Sequence, residues 1–253
     1  MDIKIITKAI KLAATEELRR DPSFGCVNFY SKGAHDDMTH TDFTNSINVI
    51  CKELNNTAWD QIETFENLRA RGIEIEEEMF KESGGINTYK GFIFLIIILV
   101  FALIKTNDFA KAPLFIKEFS KPLTLDYEND KNARSYKKLG LKDVRTFPLN
   151  GYEDLFNLSL AYNKFNMDDI ILTLILLAWV DDTTTLARSD IKTLRFLQDW
   201  AFSLYNSYLR GNNIDKELHL LDEFYLKNKI SSGGVADVFT LTKTIYYLRE
   251  IYE

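Results

Sequence analysis

Apolar residues recur at helical spacing along most of the chain. Ile3, Ile6, Ile10 and Ala14 mark one stripe, which predicts a helix ending just before Asp21-Pro22, because the residue preceding a proline avoids the helical region. Residues 22–38 break the period and read as an ordered loop. Phe43, Ile47 and Ile50 restore it in a helix over 39–54, and a further helix is expected over 59–80, ended by Ser83-Gly84-Gly85. The segment 91–104, GFIFLIIILVFALI, is apolar on every side. The pattern weakens over 105–148, which holds three of the four prolines, and this is where insertions are expected. It resumes through Leu155, Phe156, Leu158 and Leu160, and then over 167–180, 191–209, 214–229 and 235–252.

A helix that is apolar all round lies either in a membrane or at the centre of a protein. Residues 91–104 would extend only about 21 Å as a helix, short of the ~30 Å hydrocarbon layer. Residues 170–180 are shorter still, so both stretches are read as central helices covered by others. Eleven glycines and four prolines in 253 residues leave few breakers, and no repeat or Gly/Ser linker divides the chain. The expectation is an all-α fold, a single multi-helix domain over 1–253 with buried central helices.

Charge and cysteine usage narrow the partners. A net charge of −6 without a basic stripe argues against a nucleic-acid surface. Cys26 and Cys51 match no metal spacing and suit free thiols in a reducing compartment. The first twenty residues carry charges throughout and lack the apolar run of a secretory signal, so a cytoplasmic location is expected, with no membrane partner. Oligomeric state stays open, a homodimer being one option.

Four polar, glycine-containing segments fall at helix junctions: GCVNFYSKGAHDDM at 25–38, SGGINTYKG at 83–91, DDTTTLARSD at 181–190 and SSGGVADV at 231–238. Free N–H groups at a helix start favour anionic oxygens, so residues 85–88 and 233–235 are candidates for holding phosphates, with Lys90 and Arg188 to neutralise them. Asp37, Asp181, Asp182 and Asp237 are hard donors of the kind that carry Mg²⁺ on a polyphosphate. Each piece also has a structural reading. A Gly-Gly pair at a helix junction is a cap, an Asp followed by threonines is an N-cap, His35 beside two aspartates is a hydrogen-bonded loop residue, and Glu74 to Glu78 form a solvated helix face.

Together the segments resemble the triphosphoribosyl-dephospho-CoA synthases. GAHDDM at 33–38 resembles that family's GAHxDM, GGINTYKG at 84–91 its GGVNTHKG, DTTTLAR at 182–188 its DTNxLHR, and SSGGVADV its SPGGSADL. GIEIEEEMF at 72–80 and LGLKDVR at 139–145 are similar to the intervening segments, and order and spacing agree over nearly the whole chain. The resemblance implies an all-helical enzyme that transfers a triphosphoribosyl group from ATP to 3'-dephospho-CoA or a related acceptor, releasing adenine. The product would supply the prosthetic-group precursor of the citrate lyase or malonate decarboxylase acyl carrier protein.

Carried over residue by residue, the resemblance places His35, Asp37 and Glu76 at the chemistry. It assigns Gly84, Gly85, Asn87, Thr88, Lys90, Arg188, Gly233 and Gly234 to substrate, and Asp37, Asp182 and Asp237 to Mg²⁺, with ATP and a dephospho-CoA-like molecule as the partners. Where the family reads PKPGLVD this chain has PSFGCVN, so Ser23, Phe24 and Asn28 replace lysine, proline and aspartate. Tyr89, Thr184, Ala187 and Ser232 are further departures, and Ser189-Asp190 stands where two glycines are usual. They leave a second reading open, a nucleotide-binding or regulatory relative without turnover, and a third in which the glycine loops are caps of a helical interaction domain.

Overall fold

The computed structural model describes residues 1–253, and every regular element in it is a helix. α1 (Ile3–Arg19) begins where the Asp2 side chain accepts from the Lys4 N–H, and it buries Ile6, Ala9, Ile10, Ala13, Ala14, Glu17 and Leu18. The predicted loop follows. Gly25 and Gly33 hold left-handed φ values of +75° and +58° there, and a Cβ on either would lie within 2.3 Å of a backbone carbonyl. α2 (His40–Asn56) starts with a capping box between Thr39 and Asp42. The helix expected over 59–80 divides into a 3₁₀ turn at Trp59–Gln61 and α3 (Phe65–Glu82), because a second capping box, Thr64 with Asn67, sets the start of α3 there.

α3 ends at the glycine pair. The Gly85 N–H donates to Phe80 O at 2.7 Å and the Gly84 N–H to Lys81 O at 3.4 Å, the Schellman pattern that left-handed glycines permit. α4 (Lys90–Thr106) is the greasy helix, with Phe92, Ile93 and every residue from Leu95 to Leu103 buried. α1, α3, α5 (Ala112–Phe119) and the last helix pack around it. The buried Tyr152 hydroxyl donates to Leu95 O at 2.8 Å, fixing the next part of the chain to its middle. No helix is long and apolar enough to cross a membrane.

The weakly patterned region forms α5, a 3₁₀ stretch at Lys121–Leu125, and the short helices α6 (Asp126–Asn129), α7 (Lys131–Lys138) and α8 (Thr146–Leu149). Beyond it come α9 (Glu153–Lys164), α10 (Asp169–Trp179), the five-residue α11 (Thr183–Ala187), α12 (Ile191–Leu209), α13 (Asp215–Lys227) and α14 (Gly233–Tyr252). α14 is a second central helix, against α1, α4, α9 and α10. Its buried Thr240, Thr242 and Thr244 return their hydroxyls to carbonyls one turn back, so polar residues sit in the core without unpaired groups. One cluster of 55 buried apolar residues runs from α1 to α14.

Candidate active site

The chain folds so that all four polar segments line one cavity of about 510 Å³. The loop after α1 contributes Cys26, His35 and Asp37; the lead-in to α4 contributes Asn87, Thr88, Tyr89, Lys90 and Gly91; the α10–α11 junction contributes Asp181 to Thr184, with Arg188 just beyond. The start of α14 contributes Gly233, Gly234 and Asp237. Direct bonds tie the walls together. Ser232 donates from its N–H and its hydroxyl to Phe24 O at 3.2 and 3.0 Å, and the Thr185 hydroxyl donates to Ser231 O at 3.2 Å.

Two long helices, α4 and α14, begin at this cavity, so their N-terminal dipole ends face it. Aspartates of the chain answer both. Asp182 caps α11 through Thr184 and Thr185 at 2.7 and 3.0 Å, and its other oxygen accepts from the Val235 N–H of α14 at 3.0 Å. Gly234 is needed there, since a Cβ would come within 3.0 Å of the Asp182 carboxylate. Asp237 in turn accepts from the Phe92 N–H of α4, and a Cβ on Gly91 would sit 2.2 Å from its Oδ2. Burial raises both carboxyls above their usual range, Asp237 furthest because Asp182 and Glu17 repel its charge as well.

The rim carries the free polarity. Lys90 is half exposed and holds Glu76 of α3 at 2.6 Å, while its N–H donates to the Asn87 side chain at 3.2 Å. Arg188 donates to Ala34 O at 3.2 Å and approaches His35 Nδ1 at 3.0 Å. A guanidinium can only donate, so Nδ1 is the acceptor and Nε2 carries the imidazole proton. Burial and the Arg188 charge keep His35 neutral, against the pull of Asp37 and Asp36. Asp37 is exposed at the edge.

Of the residues expected at the site, His35, Asp37, Asn87, Thr88, Lys90, Asp182, Arg188, Gly233, Gly234 and Asp237 line this cavity. Three do not. Gly84 and Gly85 are committed to the α3 cap, and Glu76 lies behind Lys90 on an apolar groove of α3 and α4. Asp37, Asp182 and Asp237 form no metal-binding cluster. Thr88 donates to the Ser46 hydroxyl at 2.8 Å, and Asp181 is held by Arg195, Gln198 and the Lys142 N–H.

Asn28 lies outside the cavity, where its amide donates to Arg20 O and accepts from the Tyr30 and Ser31 N–H groups. The donor half of that set is something a carboxylate cannot supply. Glu17 and Gly91 line the cavity without having been singled out from the sequence, and Tyr89, noted there only as a departure from the family motif, lines it too. Glu17 did carry a signal, since it continues the Ile6, Ile10, Ala14 stripe and puts a charge on the buried face.

A model of the CitG family, described as ATP:dephospho-CoA triphosphoribosyl transferase, matches residues 3–253. The chain is 28% identical to a probable 2-(5''-triphosphoribosyl)-3'-dephosphocoenzyme-A synthase of Photobacterium profundum, over 93% of this chain and 84% of the relative. It is 26% identical to a protein of the same name from Streptococcus equi subsp. zooepidemicus, over 96% of each. It is also 25% identical to Protein CitXG of Haemophilus influenzae, covering 96% of this chain but only 59% of that longer protein. No solved structure matches. The family match takes in every loop that walls the cavity, and the protein belongs to the CitG family, the ATP:dephospho-CoA triphosphoribosyl transferases.

Proposed function

We propose that the cavity seats ATP and 3'-dephospho-CoA together and that the whole chain works as one catalytic domain, moving the triphosphoribosyl group to the acceptor with release of adenine. The observation that carries this reading is the convergence of four distant segments on one cavity of about 510 Å³, within the range of roughly 300–1,000 Å³ usual for small-molecule sites. The triphosphate belongs at the rim, where Lys90, Arg188 and the exposed start of α4 supply positive charge. The ribose then lies deeper. Its C1 gains positive charge as the bond to adenine lengthens, and Asp237, whose ionisation burial and its acidic neighbours oppose, gains a cationic partner there as that charge forms. His35 lines the same cavity, and its Nε2–H is a donor available to the departing base or to a sugar oxygen.

Mg²⁺ enters most simply as MgATP. Asp182 has its oxygens on backbone N–H groups and Asp237 is hemmed in by Gly91 and Phe92, so the protein offers no preformed cage. Magnesium commonly takes one or two carboxylates plus substrate phosphates, and Asp37 at the exposed edge fits that modest role. Bound there, the ion would neutralise phosphate charge. Both cysteines are buried free thiols, as suits a reducing cytoplasm.

The test is direct. The protein is incubated with ATP, Mg²⁺ and 3'-dephospho-CoA, and adenine is followed by chromatography. Adenine released in step with acceptor consumed is expected; none with this acceptor, despite saturable ATP binding, would overturn the transferase reading.

A further inference from the structure

Two polar atoms on the cavity floor have no partner in the protein. Glu17 is 2% exposed, and while its Oε1 accepts from Arg20 at 2.7 Å, its Oε2 is buried without a hydrogen bond. Tyr89, also 2% exposed, has a buried hydroxyl that is equally unbonded. Both residues line the cavity, one from α1 and the other from the lead-in to α4. An unsatisfied buried polar group is costly, so two of them on one floor call for a ligand that completes them.

Their chemistry selects the ligand. A carboxylate only accepts, whereas a phenol both donates and accepts. A phosphate is disfavoured because its oxygens, like those of a Glu17 carboxylate, are acceptors, and a bare cation would meet the phenolic hydrogen of Tyr89. An alcohol can donate to Glu17 while accepting from Tyr89. We infer that Glu17 Oε2 and the Tyr89 hydroxyl bind the acceptor hydroxyl on the dephospho-CoA ribose, and that Glu17 is the general base that takes its proton. This rests on the transferase reading of the cavity.

The step balances. The acceptor oxygen forms its bond to C1 of the ATP ribose as the C1–N bond breaks, and that electron pair leaves on adenine. The hydroxyl proton goes to Glu17 Oε2, adenine takes a proton from solvent water, and Glu17 returns its own to solvent afterwards, so the protein ends as it began. Arg20 positions the base. Its guanidinium is fixed by Glu17, by the Thr173 hydroxyl at 3.2 Å and by the Phe239 ring 4.5 Å away. The other titratable groups facing Glu17 are Asp237 of α14, Tyr89, and the Cys26 thiol of the loop, while Cys51 of α2 sits beyond Tyr89. Burial lifts the Glu17 carboxyl above the ordinary range against the pull of Arg20, which makes it a stronger base than an exposed glutamate.

The experiment compares the full-length parent with Glu17→Gln and Tyr89→Phe in the adenine-release assay across pH, with melting temperatures alongside. Removing a general base lowers kcat about 10²- to 10⁴-fold, so Glu17→Gln is expected to lose kcat on that scale, keep its KM for ATP and lose the acid-side rise of the pH profile. Tyr89→Phe removes an unbonded hydroxyl and should melt at or above the parent temperature, while its KM for dephospho-CoA rises about tenfold, the worth of one hydrogen bond. Parental kcat and pH profile in Glu17→Gln, or a parental acceptor KM in Tyr89→Phe, would overturn the inference and leave the transferase reading standing. If Glu17→Gln fails to fold, Tyr89→Phe decides alone. A parent that releases no adenine overturns both.

Discussion

At the floor of the cavity, Asp182 and Asp237 are committed to backbone N–H groups of α11, α14 and α4. At the rim, Lys90 and Arg188 are exposed, the first paired with Glu76 and the second with His35 and loop carbonyls. The same charged residue types therefore do different work. Floor carboxylates hold helix starts in place, and losing one leaves buried N–H groups without acceptors. Rim cations can turn to a ligand at little cost to the fold, because an ion pair with one exposed member contributes only about 0.2–1 kcal/mol.

The sharpest way to break this contrast is Asp182→Ala. It uncaps two helices at once, and with each lost cap worth about 0.5–2 kcal/mol the variant should lose roughly 3 kcal/mol in a denaturant titration. A loss below about 0.5 kcal/mol would show that the double cap does not hold the floor together. Gly91→Ala comes next. Alanine normally favours a helix, yet here its Cβ would lie 2.2 Å from Asp237 Oδ2, so overpacking should cost about 1–3 kcal/mol and displace Asp237, with activity falling more than stability.

Lys90→Ala tests the other side. Its melting temperature should stay within a degree or two of the parent, consistent with a pair worth about 0.2–1 kcal/mol, while ATP affinity measured by calorimetry falls about ten- to a hundredfold through loss of a charged contact worth roughly 1.5–3 kcal/mol. Unchanged affinity would remove Lys90 from the triphosphate site. The smallest effect concerns the thiols. Burial pushes Cys26 up to about 11 and Cys51 up to about 12, so both stay protonated at pH 8 and iodoacetamide should label them only after unfolding. Rapid native labelling of Cys26, which lines the cavity, would mean that the floor opens.

Much of this architecture was legible in the order of residues. Spacing of Ile6, Ile10 and Ala14 located α1, the proline at 22 ended it, and α12 was bounded to the residue because Asp190 offers a clear cap. The greasy helix announced itself. α14 was expected as a helix over 235–252 but not as a second central one, because its threonines dilute the apolar signal and their compatibility with a core depends on bonds to their own helix that periodicity cannot display. The division of residues 59–82 was missed for a similar reason, since Thr64 and Asn67 cap a helix that apolar spacing alone carries straight through.

For the site, motif positions located the loops that meet at the cavity, whereas the duties within each loop needed geometry. Gly84 and Gly85 belong to the end of α3, and the closer glycine is Gly91, whose need is visible only from the carboxylate beside it. Glu76 and Lys90 are fourteen positions apart and pair in the structure. Asp182 read equally well as a cap or a metal donor, and its reach to Val235, across 53 residues, is beyond any local pattern.

The packing of α1 along α14 also has a bearing on how the chain acquires its activity during synthesis. Glu17 leaves the ribosome well before α14, the helix that presses Asp237 toward it. Contacts this distant in sequence form only after a large loop has closed. The floor therefore assembles later than the loops of the rim, and a nascent chain in which α14 has not yet emerged has the rim motifs in hand with the floor incomplete beneath them.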